Sequence, residues 1–305
     1  SPTRCPLKAA GHAQEKQNAA SYGEPVYMWI IWLWGLLVLL SLGFYVSWLV
    51  ALRRAFLLGE RQAAGGDEMQ AESALSLVVC ARNERRNMSR LLHLLRRQRL
   101  REVVVVDDAS EDGTRELLER AARRWRRLRI VRIERKELAG KKAALAAGVA
   151  AAAGDWLLVC DADCRPASRH WARDMWAAAQ EKGGAQVDFV LGFSPYRDGG
   201  GLLGAWVCFE AMFTLLQYGG MAMRGEPYMG VGRNMLYRKS AFERYDWRQH
   251  ADLASGDDDL LVNAQARGSR TRLCLKPSAW VYTLPPRTWG AYLRQKRQHF
   301  SASSR

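Results

Sequence analysis

A chain of 305 residues with 49% hydrophobic side chains carries enough apolar material for one large catalytic domain plus a membrane segment, which excludes disorder throughout. Its formal net charge of +15 favours anionic partners, from nucleic acid to lipid headgroups to phosphorylated small molecules, so charge alone selects none of them. The six cysteines, Cys5, Cys80, Cys160, Cys164, Cys208 and Cys274, form no Cys-x-x-Cys pair and read as free thiols in a reducing compartment.

Residues 1–24 form a largely polar tail. From Pro25 to Leu52 no residue carries a charge, and at about 1.5 Å per helical residue this stretch exceeds a hydrocarbon core of roughly 30 Å, which predicts a transmembrane helix over 25–52. A signal peptide would have a shorter apolar core close behind a basic region. Tyr27, Trp29, Trp32 and Trp34 crowd the first end as interfacial aromatics do, and Arg53, Arg54 and Arg61 follow the second, which places the rest of the chain in the cytoplasm. Residues 53–73, small and polar from Gly59 onward, read as a linker.

Residues 74–305 read as one catalytic domain. Apolar runs at Leu75–Ala81, Val103–Val106, Arg129–Ile133 and Trp156–Cys160 suit buried strands, and helical periodicity over 84–98, from Thr114 through Trp125 and over 140–153 separates them. This alternation predicts an α/β fold with an open, mostly parallel sheet, in which ligands bind beyond the carboxyl ends of the strands. Val187–Phe193 reads as a further strand, Asp257–Ala266 as a helix, Thr271–Leu275 as extended and Thr288–Phe300 as an amphipathic basic helix. Leu202–Tyr218 has Glu210 as its sole charge and reads either as an interfacial helix or acceptor groove near the membrane, or as a helix of the core.

Acidic clusters stand at the predicted strand ends. Asp161-Ala162-Asp163 follows the fourth strand, where alternate residues present two carboxylates to one site, and hard oxygen donors of this kind suit Mg2+ or Mn2+ bridged to substrate phosphates. Asp107 and Asp108 follow the second strand, with Ser110 or Asp112 available to cap the next helix. Ser255-Gly256-Asp257-Asp258-Asp259 precedes a helix, where three aspartates either complement the helix dipole or supply a general base.

The segments Val79-Cys80-Ala81-Arg82-Asn83-Glu84, Asp107 to Thr114, Gly140-Lys141-Lys142 and Asp161-Ala162-Asp163, in this order, resemble family 2 glycosyltransferases over roughly residues 74–300. The resemblance implies a GT-A fold, Rossmann-like with helices flanking the sheet. It also implies a nucleotide-sugar donor, a UDP- or GDP-sugar, whose base faces Asp107 or Asp108 and which meets Ala81, Arg82, Asn83, Glu84, Lys141 and Asp161. Asp161 and Asp163 would hold Mg2+ or Mn2+ on the donor pyrophosphate, and Asp258 or Asp257 would deprotonate the acceptor hydroxyl in an inverting transfer, with Asp259 facing the helix or solvent. Gly230, Gly232, Arg233 and Asn234 match the segment bordering the acceptor site, with residues 194–305 forming the acceptor-side and interfacial part.

Processive members carry Gln-x-x-Arg-Trp on a late helix. Here Gln295 is kept while Gln298 and His299 replace the Arg and Trp, which implies non-processive transfer, with Arg297 or His299 left to touch the diphosphate, or Arg294, Lys296 and Arg297 to face anionic lipid. The basic run Arg123–Lys136 spans a helix end and a strand, so its charges point several ways, and a membrane-proximal site explains the basicity with no nucleic-acid partner. The expected acceptor is lipid-linked or a cell-envelope glycan. The alternatives are a nucleotidyltransferase, which would place a glycine-rich loop where Ala81-Arg82-Asn83-Glu84 stands, and an inactive membrane-bound polyanion-binding module.

Overall fold

The structure, a computed structural model, describes residues 24–61, 72–134, 141–180, 187–197, 199–246, 257–266 and 270–303. Two compact units make up the chain, residues 1–50 and 51–305. Helix α1 runs Glu24–Arg61, and its segment Tyr27–Arg54 is long and apolar enough to cross a bilayer. The expected linker therefore begins later than residue 53, because Leu52 to Arg61 is rich in Leu, Arg and Ala, which prolong a helix. Most of the linker, 62–71, lies outside the described residues.

In the second unit the strands and helices alternate in the order β1 (Leu75–Ala81), α2 (Arg85–Leu95), β2 (Glu102–Asp108), α3 (Thr114–Arg124), β3 (Leu128–Ile133), α4 (Lys142–Ala151) and β4 (Trp156–Asp161). Every residue of β2 is buried, as its Val-rich run requires of a strand covered on both faces. Val103 and Val105 share a core with Leu77 and Val79 of β1 and with Met88, Leu91 and Leu95 of α2, whose spacing of three and four puts them on one face. On the other side α4 lies so close that a Cβ on Gly148 would stand 2.6 Å from Val78 Cγ1, and a glycine is what permits that approach. Part of the basic surface is matched locally, with Arg129 on Glu102 at 3.0 Å and Arg132 on Glu119.

After β4 come β5 (Arg165–Pro166), α5 (Trp171–Ala179), β6 (Phe189–Gly192), α6 (Gly201–Met223), β7 (Met235–Arg238), α7 (Lys239–Glu243), α8 (Asp257–Gln265), β8 (Thr271–Cys274), β9 (Val281–Tyr282) and α9 (Trp289–Ser303). The seven-stranded sheet has the order β3-β2-β1-β4-β7-β6-β8, and β5 pairs with β9 as a separate two-stranded sheet. Within the seven-stranded sheet pairing is parallel except at β7, which runs antiparallel between β4 and β6, and the β5–β9 pair is antiparallel. Helix α6, the apolar stretch with two readings, buries Val207, Leu215 and Tyr218 while exposing Leu202 and Phe209, so it is a core helix along one side only.

The register decides where the chemistry sits. Ala81 of β1 is level with Asp107 of β2, and Cys80 is level with Asp161 of β4, so the acidic ends of β2 and β4 come to one edge on either side of the end of β1. That edge is closed by Asn234, which is wholly buried: its Nδ2 donates to Phe193 O at 2.7 Å and Ala279 O at 3.0 Å, and its Oδ1 accepts from Trp171 Nε1 at 2.9 Å. Replacing Asn234 with Ala strands the Ala279 carbonyl and the Trp171 indole N–H in the interior, each worth about 1–3 kcal/mol when unpaired, while Phe193 O keeps the Val281 N–H at 3.3 Å. The expected loss of 2–5 kcal/mol is checked by denaturant unfolding of Asn234→Ala followed through Trp fluorescence.

Candidate active site

The loop that leaves β1 is knitted to the loop that leaves β2. Asn83 takes a left-handed conformation (φ 55°), its N–H donates to Ser110 Oγ at 3.0 Å, and its Oδ1 accepts from the Glu111 N–H at 2.8 Å. The next two amides continue the seam, Glu84 N–H to Thr114 Oγ1 at 3.0 Å and Arg85 N–H to Asp112 Oδ2 at 3.1 Å. Arg82 is exposed at the rim, and Ala81 is buried so that only its backbone faces the edge. Asp107 is fully buried, accepting from the Ser110 N–H at 3.3 Å and from Arg115 Nε at 3.3 Å, while Asp108 beside it is nearly so.

At the end of β4, Asp161, Asp163 and Cys164 bring their ligand atoms within 4.8 Å of one another. The Cys164 N–H donates to Asp161 O at 3.1 Å, closing the turn that turns both carboxylates the same way. Asp163 is held on its other side by Thr283 Oγ1, which donates to Oδ2 at 3.2 Å from the segment that follows β9. Two carboxylates fixed from separate segments, with a thiol beside them, form a donor set that fits a divalent cation.

Cations from two other segments meet these anions. Lys141 Nζ donates to Asp161. Burial opposes the ammonium, but the charges of Asp161 and Asp258 outweigh it and hold the Lys141 pKa well above its ordinary value. Burial likewise works against the charged form of Asp161, yet Lys141 and then Arg233 bring its pKa below the usual carboxylate range. Arg233 reaches across from the loop before β7, donating from Nε to Ser194 Oγ at 2.8 Å, with its guanidinium over the Tyr196 ring at 5.3 Å. Glu84 is drawn into the same field: its burial, and then the charges of Asp163, Asp112 and Asp161, raise its pKa against the bond from Asn87.

The acceptor-side residues divide. Gly232 and Asp258 are in direct apposition, since a Cβ on Gly232 would fall 1.6 Å from Asp258 Oδ2, so the carboxylate rests on bare backbone and faces Lys141. The side chain of Asp257 lies outside the described residues, as do Ser255 and Gly256. Asp259 turns inward, toward the Gly230 amide, and not to solvent. Asn234 departs from the expectation of an acceptor contact, because its amide is buried and engaged with Phe193, Ala279 and Trp171. Arg233, expected on the acceptor side, lies within the field of Asp161 and Asp163. On α9, Tyr292 and Lys296 engage Glu210 of α6, and among the described residues no contact joins Gln295 or Arg297 to the carboxylates; the His299 side chain lies outside them.

Thr283, Cys164 and Ser194 are the parts of the site that sequence reasoning missed. Cys164 adjoins the acidic pair and was available as a signal, whereas Thr283 stands 120 residues from Asp163 in a segment with no motif.

Burial raises the Asp259 pKa to about 6, against the bond from Gly230. A carboxyl with a folded pKa above its unfolded 3.8 leaves stability intact at low pH and lowers it as the pH rises through about 6. Asp259→Asn should therefore raise the melting temperature above pH 6, with a gain that shrinks toward pH 4, measured by thermal unfolding across that range.

The family model described as Glycosyl transferase family 2 matches residues 76–246, more than half of the chain. Among solved structures the chain is similar to the mannosyltransferase PcManGT from Pyrobaculum calidifontis in complex with GDP-Man and Mn2+, with 19% identity over 86% of this chain and 73% of that one and a TM-score of 0.58. It is similar to glucosyl-3-phosphoglycerate synthase from Mycobacterium tuberculosis in complex with Mn2+, UDP and phosphoglyceric acid, with 15% identity over 78% and 82% of the two chains and a TM-score of 0.53. A fragment of S. aureus TarS in complex with UDP-GlcNAc matches at 20% identity over 72% of this chain and 60% of that one, with a TM-score of 0.51. These likenesses establish the GT-A fold, and with the matched family segment spanning the loops after β1, β2 and β4, the chain belongs to glycosyl transferase family 2, the nucleotide-sugar-dependent glycosyltransferases.

Proposed function

We propose that the protein is a membrane-anchored, inverting, non-processive glycosyltransferase that uses Mn2+ or Mg2+ and passes a sugar from a UDP- or GDP-sugar to a lipid-linked acceptor or envelope glycan on the cytoplasmic side. The observation that carries this reading is the meeting of Asp258, seated on Gly232, with the Lys141–Asp161 pair at one strand edge. A base on the acceptor side and counter-charges on the donor side are the two things a direct displacement at an anomeric carbon requires.

In this reading Asp161 and Asp163 hold the metal, which when bound supplies charge neutralisation to the donor diphosphate. The nucleotide base lies along the Ala81–Glu84 and Asp107–Asp108 ends, where the seam between the two loops fixes the backbone. Lys141 exchanges Asp161 for phosphate oxygens as the donor binds, and Arg233 balances the leaving diphosphate from the other side. Asp258 takes the proton from the acceptor hydroxyl as that oxygen attacks, and inversion follows from a single displacement. Gly232 gives its bare backbone to Asp258, the group that faces the acceptor, while Gly230 is packed against Met235, Leu191 and Val262. The neighbours that hold Mn2+ with GDP-Man or UDP support the metal and donor class, and the apolar helix supports the anchor. The loss of Arg and Trp from the late-helix motif supports single transfer.

Three outcomes check the reading. Binding of one nucleotide sugar by the detergent-solubilised protein, measured by calorimetry across a panel, should require Mn2+ or Mg2+ and weaken by about a hundredfold or more in Asp163→Ala; an inactive polyanion-binding module would show no metal dependence. Gly232→Ala, whose methyl displaces Asp258, should cut transfer by about a hundredfold while donor affinity changes less than about threefold. The product, followed by NMR at the anomeric proton, should carry the configuration opposite to the donor's.

A further inference from the structure

Large apolar side chains lie open on the unit that carries the active site. Leu202, Trp206, Phe209 and Met212 follow one another along α6 at spacings of four and three, a single stripe, and Leu202 is 79% and Phe209 60% exposed. Trp289 and Leu293 of α9 and Leu284 before it are exposed as well. Helix α9 is fastened to α6 by Trp206 Nε1 donating to Tyr292 Oη at 2.8 Å, Tyr292 Oη donating to Glu210 at 3.2 Å and Lys296 on Glu210 at 2.5 Å, so the exposed groups of both helices belong to one fixed lip. An aqueous surface does not leave so many Trp, Phe and Leu side chains together without a partner.

Three observations identify that partner as a lipid bilayer. First, the chain enters this unit beside α6, the helix that carries the lip: Leu52, the last residue of the apolar stretch, packs on it, where a Cβ on Gly219 would stand 3.0 Å from Leu52 Cδ2. Secondly, the charges fit an anionic leaflet, since Arg53, Arg54, Arg294 and Arg297 are exposed and the sole acidic residue of α6, Glu210, is neutralised by Lys296. Thirdly, the lip carries indole rings beside aliphatic groups, the composition that settles at the boundary between headgroups and acyl chains.

We propose that the α6–α9 lip is a bilayer-docking surface that holds the mouth of the active site at headgroup level. The connection to the site is short. Leu284 directly follows Thr283, whose hydroxyl holds Asp163, and Thr283 pairs with Tyr196, the ring beneath Arg233. Leu202 opens the helix that the same Tyr196 segment leads into. An acceptor carried in the membrane plane would thus meet the catalytic edge without leaving the bilayer surface.

The test uses the full chain in nanodiscs of phosphatidylcholine and phosphatidylglycerol containing a trace of phosphatidylcholine with a diazirine on its acyl chain. After photolysis, peptide mapping by mass spectrometry should find lipid adducts within 202–212 and 284–293, besides those on the apolar helix. Leu202→Ser/Phe209→Ser/Leu293→Ser should lower the lip adducts about fivefold relative to the helix adducts. Adducts confined to the helix would overturn the inference, and a second copy covering the lip would give that result. The readout is independent of turnover, so a protein that transferred no sugar would still report lipid contact, and failure of this inference is distinguishable from failure of the transferase reading.

Discussion

Negative charge gathered at one edge of the sheet is the constraint on which the rest of the site depends. Glu84, the Asp161–Asp163 pair and Asp258 come from three separate segments, and like charges at about 5 Å repel by about 3 kcal/mol in an effective dielectric near 20. The fold answers with Lys141 against Asp161 and Arg233 against the same group from the far side. A site balanced in this way is already arranged for a divalent cation and a diphosphate, which bring opposite charges to the same positions. The close seat of Asp258 on Gly232 and the seam between the two donor-side loops follow from the same need to hold the groups at short range.

The first half of the domain was legible in the sequence because its signals are local. Val-rich runs such as Glu102–Asp108 and the one-faced spacing of Met88, Leu91 and Leu95 specify strand and helix within a few residues, and acidic motifs at strand ends mark the edge where ligands bind. Longer-range features were not legible. The antiparallel placement of β7 between β4 and β6, the pairing of β5 with β9 and the support of Asp163 by Thr283 all depend on how distant segments meet. Asn234 is instructive, because the family resemblance of its segment implies the acceptor border, yet its side chain joins three segments of the interior. The end of α1 shows the opposite error, where small and polar residues downstream suggested a linker and helix formers carried the helix to Arg61.

Helix α9 has exchanged one kind of contact for another. In place of Arg and Trp at the late motif it offers Tyr292 and Lys296 to α6, which fixes it as a wall of the domain, and leaves Trp289 and Leu293 outward. In the proposed bilayer-docked arrangement the lip would hold the site by apolar surface, while its catalytic groups remain on rigid strand ends. Such a division suits an enzyme whose donor arrives from water and whose acceptor arrives from the membrane.

If donor binding and proton removal reside on different carboxylates, Asp258→Asn separates the two. Donor affinity in the presence of Mn2+ and single-turnover transfer would be measured on the same preparation. The expected result is a donor dissociation constant within about threefold of the native value and a transfer rate lower by about a thousandfold. A transfer rate close to native, or a loss of donor binding equal to the loss of transfer, would contradict it.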